Sequence, residues 1–96
     1  MNRKEFNTEI LKHLEGKKFF EQFVPNEIAA DMYETLDESI QDYPDQRFGQ
    51  LMCNYIYPEY RQRTESPLNM IMDMLFYNIQ DPFFEESEST FNRLVI

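Results

Sequence analysis

Residues that make tight turns are too scarce in this chain for an all-β meander. Ninety-six residues contain two glycines and five prolines, whereas a meander needs a turn about every 8 to 12 positions. The prolines instead separate stretches whose apolar residues recur at helical spacing. Asn2 and Glu5 form a capping pattern, Phe6, Ile10, Leu11 and Leu14 follow, and Gly16 offers a left-handed stop. A first helix is therefore predicted over about residues 3 to 15. The aromatic run Phe19, Phe20, Phe23 and Val24 should then bury itself as a short helical turn.

Val24-Pro25-Asn26 starts a second helix reaching about Asp42, with Ile28, Ala29, Met32, Leu36 and Ile40 on one side. Tyr43-Pro44 ends it. Asp45 can cap a third helix carrying Phe48, Leu51, Met52, Tyr55 and Ile56, and Tyr57-Pro58 is expected to close it. Gly49 inside that run costs roughly 1 kcal/mol relative to Ala, which implies close approach of a neighbouring backbone. Residues 58 to 65 read as a polar loop. The fourth helix, about Pro67 to Ile79, carries nine apolar residues, among them Met70, Met72 and Met74. A helix so apolar all round is expected to be central. Asp81-Pro82 stops and restarts the chain, and Phe84, Phe91, Leu94 and Val95 mark a last helix with Glu85, Glu86 and Glu88 at its start. The fold class predicted is all-α: a compact bundle of four to five short helices in one acidic domain spanning residues 1 to 96.

Composition agrees. A hydrophobic fraction of 42% with fifteen aromatic residues can bury a core and argues against disorder. A single cysteine excludes an intramolecular disulfide and suits a reducing compartment. Neither a signal-like apolar run nor a membrane-length one occurs, so a soluble, cytoplasmic protein is expected.

Two segments carry a resemblance. Pro44-Asp45-Gln46-Arg47-Phe48-Gly49-Gln50-Leu51, followed by Asn54 and Tyr55, and later Asp81-Pro82-Phe83-Phe84-Glu85-Glu86-Ser87, resemble paired motifs of a group of small uncharacterised bacterial proteins. That group is recognised by an Arg-Phe-Gly-Gln or Arg-Leu-Gly-Gln helix start and an Asp-Leu-Phe-Tyr or Asp-Pro-Phe-Phe turn entering a terminal acidic helix. The resemblance covers about a third of the chain. It implies a small helical protein, bacterial or carried on a mobile element, and brings no catalytic residues with it. Read without it, the first motif fixes a helix crossing, or else presents Arg47, Gln50 and Asn54, three and four residues apart, as donors to a partner.

Charge is the unusual feature. Residues 1 to 24 sum to +1 and residues 25 to 96 to -10, and residues 25 to 45 hold seven acids and no base. Glu27, Asp31, Glu34, Glu38 and Asp42 project within about 80° of one another opposite the apolar stripe, one carboxylate about every 5 to 6 Å. Such a row is either a solvated face or a binding surface for a basic protein, including mimicry of a phosphate backbone. Direct contact with nucleic acid or an anionic membrane is excluded by the sign of the charge.

Chemistry is harder to find. His13 is the only histidine and lies at the edge of an apolar stripe, which fits a boundary residue better than a metal ligand. Cys53 reads as a small core residue, since its only candidate base is His13. The acids at 81 to 88 lack the spacing and glycine of a calcium loop, and no phosphate-cradling glycine loop is present. No cofactor and no enzyme is expected. The sequence points to a non-catalytic protein-protein interaction module, with a phosphate-mimicking inhibitor of a nucleic-acid-handling protein as the alternative. Excess apolar surface on the fourth helix and at Phe83 and Phe84 leaves room for a second copy of the chain as cover.

Overall fold

The computed structural model describes residues 1–64 and 66–96. α1 (Arg3–Gly16) begins with the expected capping box: Glu5 N donates to Asn2 Oδ1 and Asn2 N donates to Glu5 Oε1, each at 2.9 Å. Its end differs from expectation. Gly16 stays helical, and Lys18 takes the left-handed conformation with φ 53°. Phe19 N reaches Leu14 O at 2.9 Å and Lys18 N reaches Glu15 O at 3.0 Å, the pairing of a Schellman end. The reversal falls two residues after the glycine, where it delivers Phe20 fully into the core. Burial of that ring outweighs the steric preference for glycine.

Phe20–Gln22 form the expected short 3-10 turn, fastened by Phe20 N donating to Tyr33 Oη at 3.0 Å. α2 (Asn26–Asp42) buries Ala29, Met32, Tyr33, Leu36 and Ile40, as its periodicity predicts. The third helix starts later than expected: Asp45 lies exposed in a turn, and Arg47 caps α3 (Phe48–Leu51), with Gln50 Oε1 accepting from Arg47 N at 2.6 Å.

The chain does not stop at Tyr57-Pro58. A π turn over Met52–Ile56 leads directly into α4 (Tyr57–Thr64), so the loop expected from residue 58 is helix as far as Thr64. Glu65, the last residue of that expected loop, lies outside the described residues. The reason is local geometry: proline lacks an N–H and its ring collides with the carbonyl four residues back in a regular α-helix. The wider π turn, with Tyr57 N donating to Met52 O, absorbs the conflict without a break. α4 is tied to α2 by the 2.8 Å hydrogen bond between Tyr60 Oη and Thr35 Oγ1 and by the Arg63–Asp31 pair.

α5 (Ser66–Leu75) is shorter than expected, because the turn after it closes through left-handed Asn78 at φ 63°. It is not enclosed on all sides either. Leu68, Ile71, Leu75 and Phe76 are buried, while Met70, Met74 and Tyr77 are exposed. The centre of the bundle is taken by α2 and by the Phe48–Ile56 stretch, whose Met32, Leu36, Ile40, Phe48, Leu51, Met52 and Ile56 are fully buried, and α5 packs chiefly against α4. Among the described residues, no helix is long and apolar enough to cross a membrane.

Asp81 caps a 3-10 turn at Pro82–Phe84, its Oδ1 accepting from Phe83 N at 3.1 Å, and α6 (Ser87–Leu94) follows. This turn explains Gly49. A Cβ built on Gly49 would stand 1.8 Å from the Pro82 carbonyl oxygen, so only glycine lets the two backbones meet. Beside that contact, Ser87 Oγ donates to Asn7 Oδ1 at 2.6 Å and accepts from Phe48 N at 3.2 Å, and Asn7 Nδ2 donates to Gln46 O at 2.9 Å. Outside this buried chain, Glu86 accepts from Arg47 Nε at 2.6 Å and from Arg3 Nη2 at 2.9 Å. The two motif segments thus meet each other, and α1 joins them.

The two glycines should behave oppositely. Gly16→Ala, with nothing within 4 Å of the added methyl, is expected to raise stability by about 0.5–1 kcal/mol. Gly49→Ala must push two backbones apart and should lower it by about 1–3 kcal/mol or more. Urea unfolding midpoints compare them, and equal effects would contradict the contact. A second expectation concerns acid. The guanidinium groups of Arg47 and then Arg3 hold the Glu86 carboxyl below its ordinary range. Its contribution is therefore complete above the unfolded-state value near 4.3 and is lost as pH falls through the lower folded-state value. The stability gap between wild type and Glu86→Gln should narrow as the pH drops below about 4; a constant gap between neutral and acid pH would be inconsistent with the pairing.

Candidate protein-binding face

α2 turns its apolar residues inward and so presents every member of the acidic row to water: Glu27, Asp31, Glu34, Glu38 and Asp42 are all exposed. Asp31 Oδ2 meets Arg63 Nη2 at 3.3 Å, with both side chains about half exposed, a geometry that contributes little in water. Among the described residues, Glu27, Glu34, Glu38 and Asp42 have no ion-pair partner. Neighbours four apart along the helix repel one another by a few tenths of a kcal/mol per pair, so the row opposes the fold that displays it.

Packing of α1 against α2 adds what the helical projection alone could not reveal. An open groove of about 470 Å³ runs between them, lined by Glu15, Glu21, Glu34 and Asp37, with Lys12 and Tyr33 among the remaining walls. The Tyr33 hydroxyl donates to Glu21 Oε1 at 2.6 Å and accepts from Phe20 N. Burial, followed by the bond to Glu21, raises its pKa well above the ordinary tyrosine value, so it remains a neutral donor. Glu34 belongs to both the row and the groove. Glu15 and Glu21 come from other elements, and only the α1–α2 crossing brings them beside α2.

Arg47, Gln50 and Asn54 are placed differently. Arg47 Nε is bound to Glu86, the Gln50 carbonyl caps the Arg47 amide, and Asn54 Nδ2 donates to Gln46 Oε1 at 3.3 Å. All three contact this chain's own groups. Arg47 and Gln50 thus brace the α3 start, while Asn54, exposed in the π turn, reaches back to Gln46.

His13 sits partly exposed in the last turn of α1, and its backbone carbonyl accepts from Lys17 N at 3.1 Å. Cys53 lies partly buried in the π turn, where burial and then the Asp81 carboxylate raise its thiol pKa, the direction opposite to that of an activated thiolate. Nearby, Tyr43 and Tyr55 stack with ring centroids 4.6 Å apart at 8°, and Gln46 Nε2 donates to Tyr55 Oη at 3.2 Å. Among the described residues, no three His, Cys, Asp or Glu side chains group closely enough to hold a metal ion.

The stability penalty of the row can be measured. Glu38→Gln relieves repulsion from both Glu34 and Asp42 and should stabilise the protein by about 0.4–1 kcal/mol at low salt. The gain should fade in high salt, where charges a turn apart are screened. Loss of stability in thermal or urea unfolding would mean that Glu38 has a favourable internal partner.

Compared with known proteins, the chain matches no family model, and neither a curated protein nor a solved structure is significantly similar to it.

Proposed function

We propose that this protein is a non-catalytic binding module that engages a basic partner protein through the carboxylate face of α2 and the adjoining α1–α2 groove. One observation carries the reading: four of the five row carboxylates stand in water with no cation among the described residues, although their mutual repulsion destabilises the helix. Residues that weaken a fold without serving its packing are characteristic of surfaces kept for binding. A basic partner would relieve the repulsion as it docks, and the concentrated negative potential would steer its approach. Lysine or arginine side chains can reach the groove, where Glu15, Glu21, Glu34 and Asp37 surround the entering charge.

The spacing of the row, about 5 to 6 Å between carboxylates, also supports a narrower form of the same reading, in which the partner is a protein that ordinarily grips a phosphate backbone. Immobilised protein, wild type against a Glu27→Gln, Glu34→Gln, Glu38→Gln, Asp42→Asn quadruple variant, tests both. Wild type is expected to retain basic proteins that are released by a few hundred millimolar salt, since exposed charges are screened within about 8 to 10 Å at physiological ionic strength. The near-isosteric variant should lose them while staying folded by circular dichroism. Retention that ignores both salt and the four substitutions would defeat the proposal. Competition by duplex DNA for the retained protein would select the phosphate-mimicking form.

A further inference from the structure

The contact between α6 and the rest of the molecule is built unlike the others. Among the described residues four polar side chains are buried, and three of them, Asn7, Ser87 and Thr90, lie on α6 or against it. Of the five ion pairs among the described residues, two cross this contact, Arg3–Glu86 and Arg47–Glu86, while a third, Arg93–Glu85, lies within residues 85–96. Conversely, α6 supplies no fully buried apolar side chain: Phe91, Leu94 and Val95 are only partly buried, and the Phe91 ring meets Phe6 at a centroid distance of 5.3 Å. Arg93 closes the far end, donating to the Leu75 carbonyl at 2.6 Å and lying 5.7 Å over the Phe76 ring.

A polar seam separates differently from an apolar one. When it opens, water replaces each hydrogen bond and solvates each charge, so the net loss per contact is small, whereas parting apolar surfaces loses burial in proportion to area. The detached piece would also be short. A helix of eight residues is not stable alone in water, so departure and melting coincide. The lead-in at Glu85 and Glu86 is extended backbone, and a single 3.3 Å bond from Glu85 N to Pro82 O ties it to the turn behind it, so the chain can hinge after Glu85.

We infer that residues 85–96 form a polar-latched strap, which opens and melts as a unit while α1 to α5 remain folded, and that Glu86 is its latch. Opening uncovers Phe6 on α1 and breaks the bond from Phe48 N to Ser87 Oγ. That last bond gives the inference a distinctive signature, because the Phe48 amide belongs to α3 yet depends on the strap for its protection.

Hydrogen exchange on the full chain, read by NMR amide by amide, tests this. The Thr90 and Val95 amides, which donate to Glu86 O and Phe91 O, should exchange at least about tenfold faster than core amides of α2 such as Leu36 and Ile40. Phe48 N–H should exchange with them, while Leu51 N–H, bonded to Arg47 O at 3.0 Å, stays with the core. Urea should accelerate the core amides much more steeply than the strap amides, since the strap exposes little surface. In Glu86→Gln the strap amides and Phe48 should speed up several-fold, in step with the stability that the substitution removes. A single opening, with strap and α2 amides sharing one rate and one urea dependence, would overturn the inference, as would strap amides whose exchange Glu86→Gln leaves unchanged.

Discussion

The architecture rests on a backbone-to-backbone contact, Gly49 against the Pro82 carbonyl. Any side chain at residue 49 would occupy the place of that oxygen. With the two segments in register, Phe48 N can find Ser87 Oγ, Ser87 can find Asn7, and Glu86 comes within reach of two arginines. Three distant parts of the chain are thereby held at one point: the start of α1, the start of α3, and the entry to α6. The two motif segments are the halves of this contact, which accounts for Arg47, Phe48, Gly49, Pro82, Glu86 and Ser87.

Away from that point the molecule divides its surface by charge. α2 spends one face on the core and the other on carboxylates that repel each other, and α1 supplies both a wall of the groove and most of the basic residues of the first third of the chain. Compensation across the surface is slight: Arg63 reaches Asp31, whereas Arg3 and Arg47 pair with Glu86 and Arg93 pairs with Glu85, around α6. The result is a molecule whose favourable charge pairs are gathered around its C-terminal helix and whose unfavourable ones are gathered on α2. Both regions trade apolar stability for something else: an open anionic face in one, and a separable contact in the other.

Much of this was legible beforehand, and the failures have identifiable causes. The cap at Asn2, the turn at Phe20, the span of α2 and the need for a close neighbour at Gly49 follow from rules that act within a few residues, and they held. The end of α1 did not, because the demand to bury Phe20 moved the left-handed position from Gly16 to Lys18. Pro58 was expected to break a helix. It failed to do so because a π turn, whose occurrence depends on how Met52 and Ile56 both reach the core, widened the backbone just ahead of it. α5 looked central because nearly all its residues are apolar, but a helix can be apolar all round and still lie at the edge when larger residues, Phe48 and Tyr60 among them, fill the middle.

The sequence alone determined that this chain is helical, acidic and divided by its prolines, since period, capping and charge are local properties that each segment carries with it. It also determined that the α2 carboxylates point away from the core, because on one helix the apolar stripe and the acidic row are geometrically opposed. Only the tertiary structure decided which glycine meets which carbonyl, that Glu15 and Glu21 join α2 around a groove, and that Arg47 pairs with Glu86. Those outcomes depend on the relative placement of segments tens of residues apart, and that placement is set by the summed burial of a core to which every helix contributes a part.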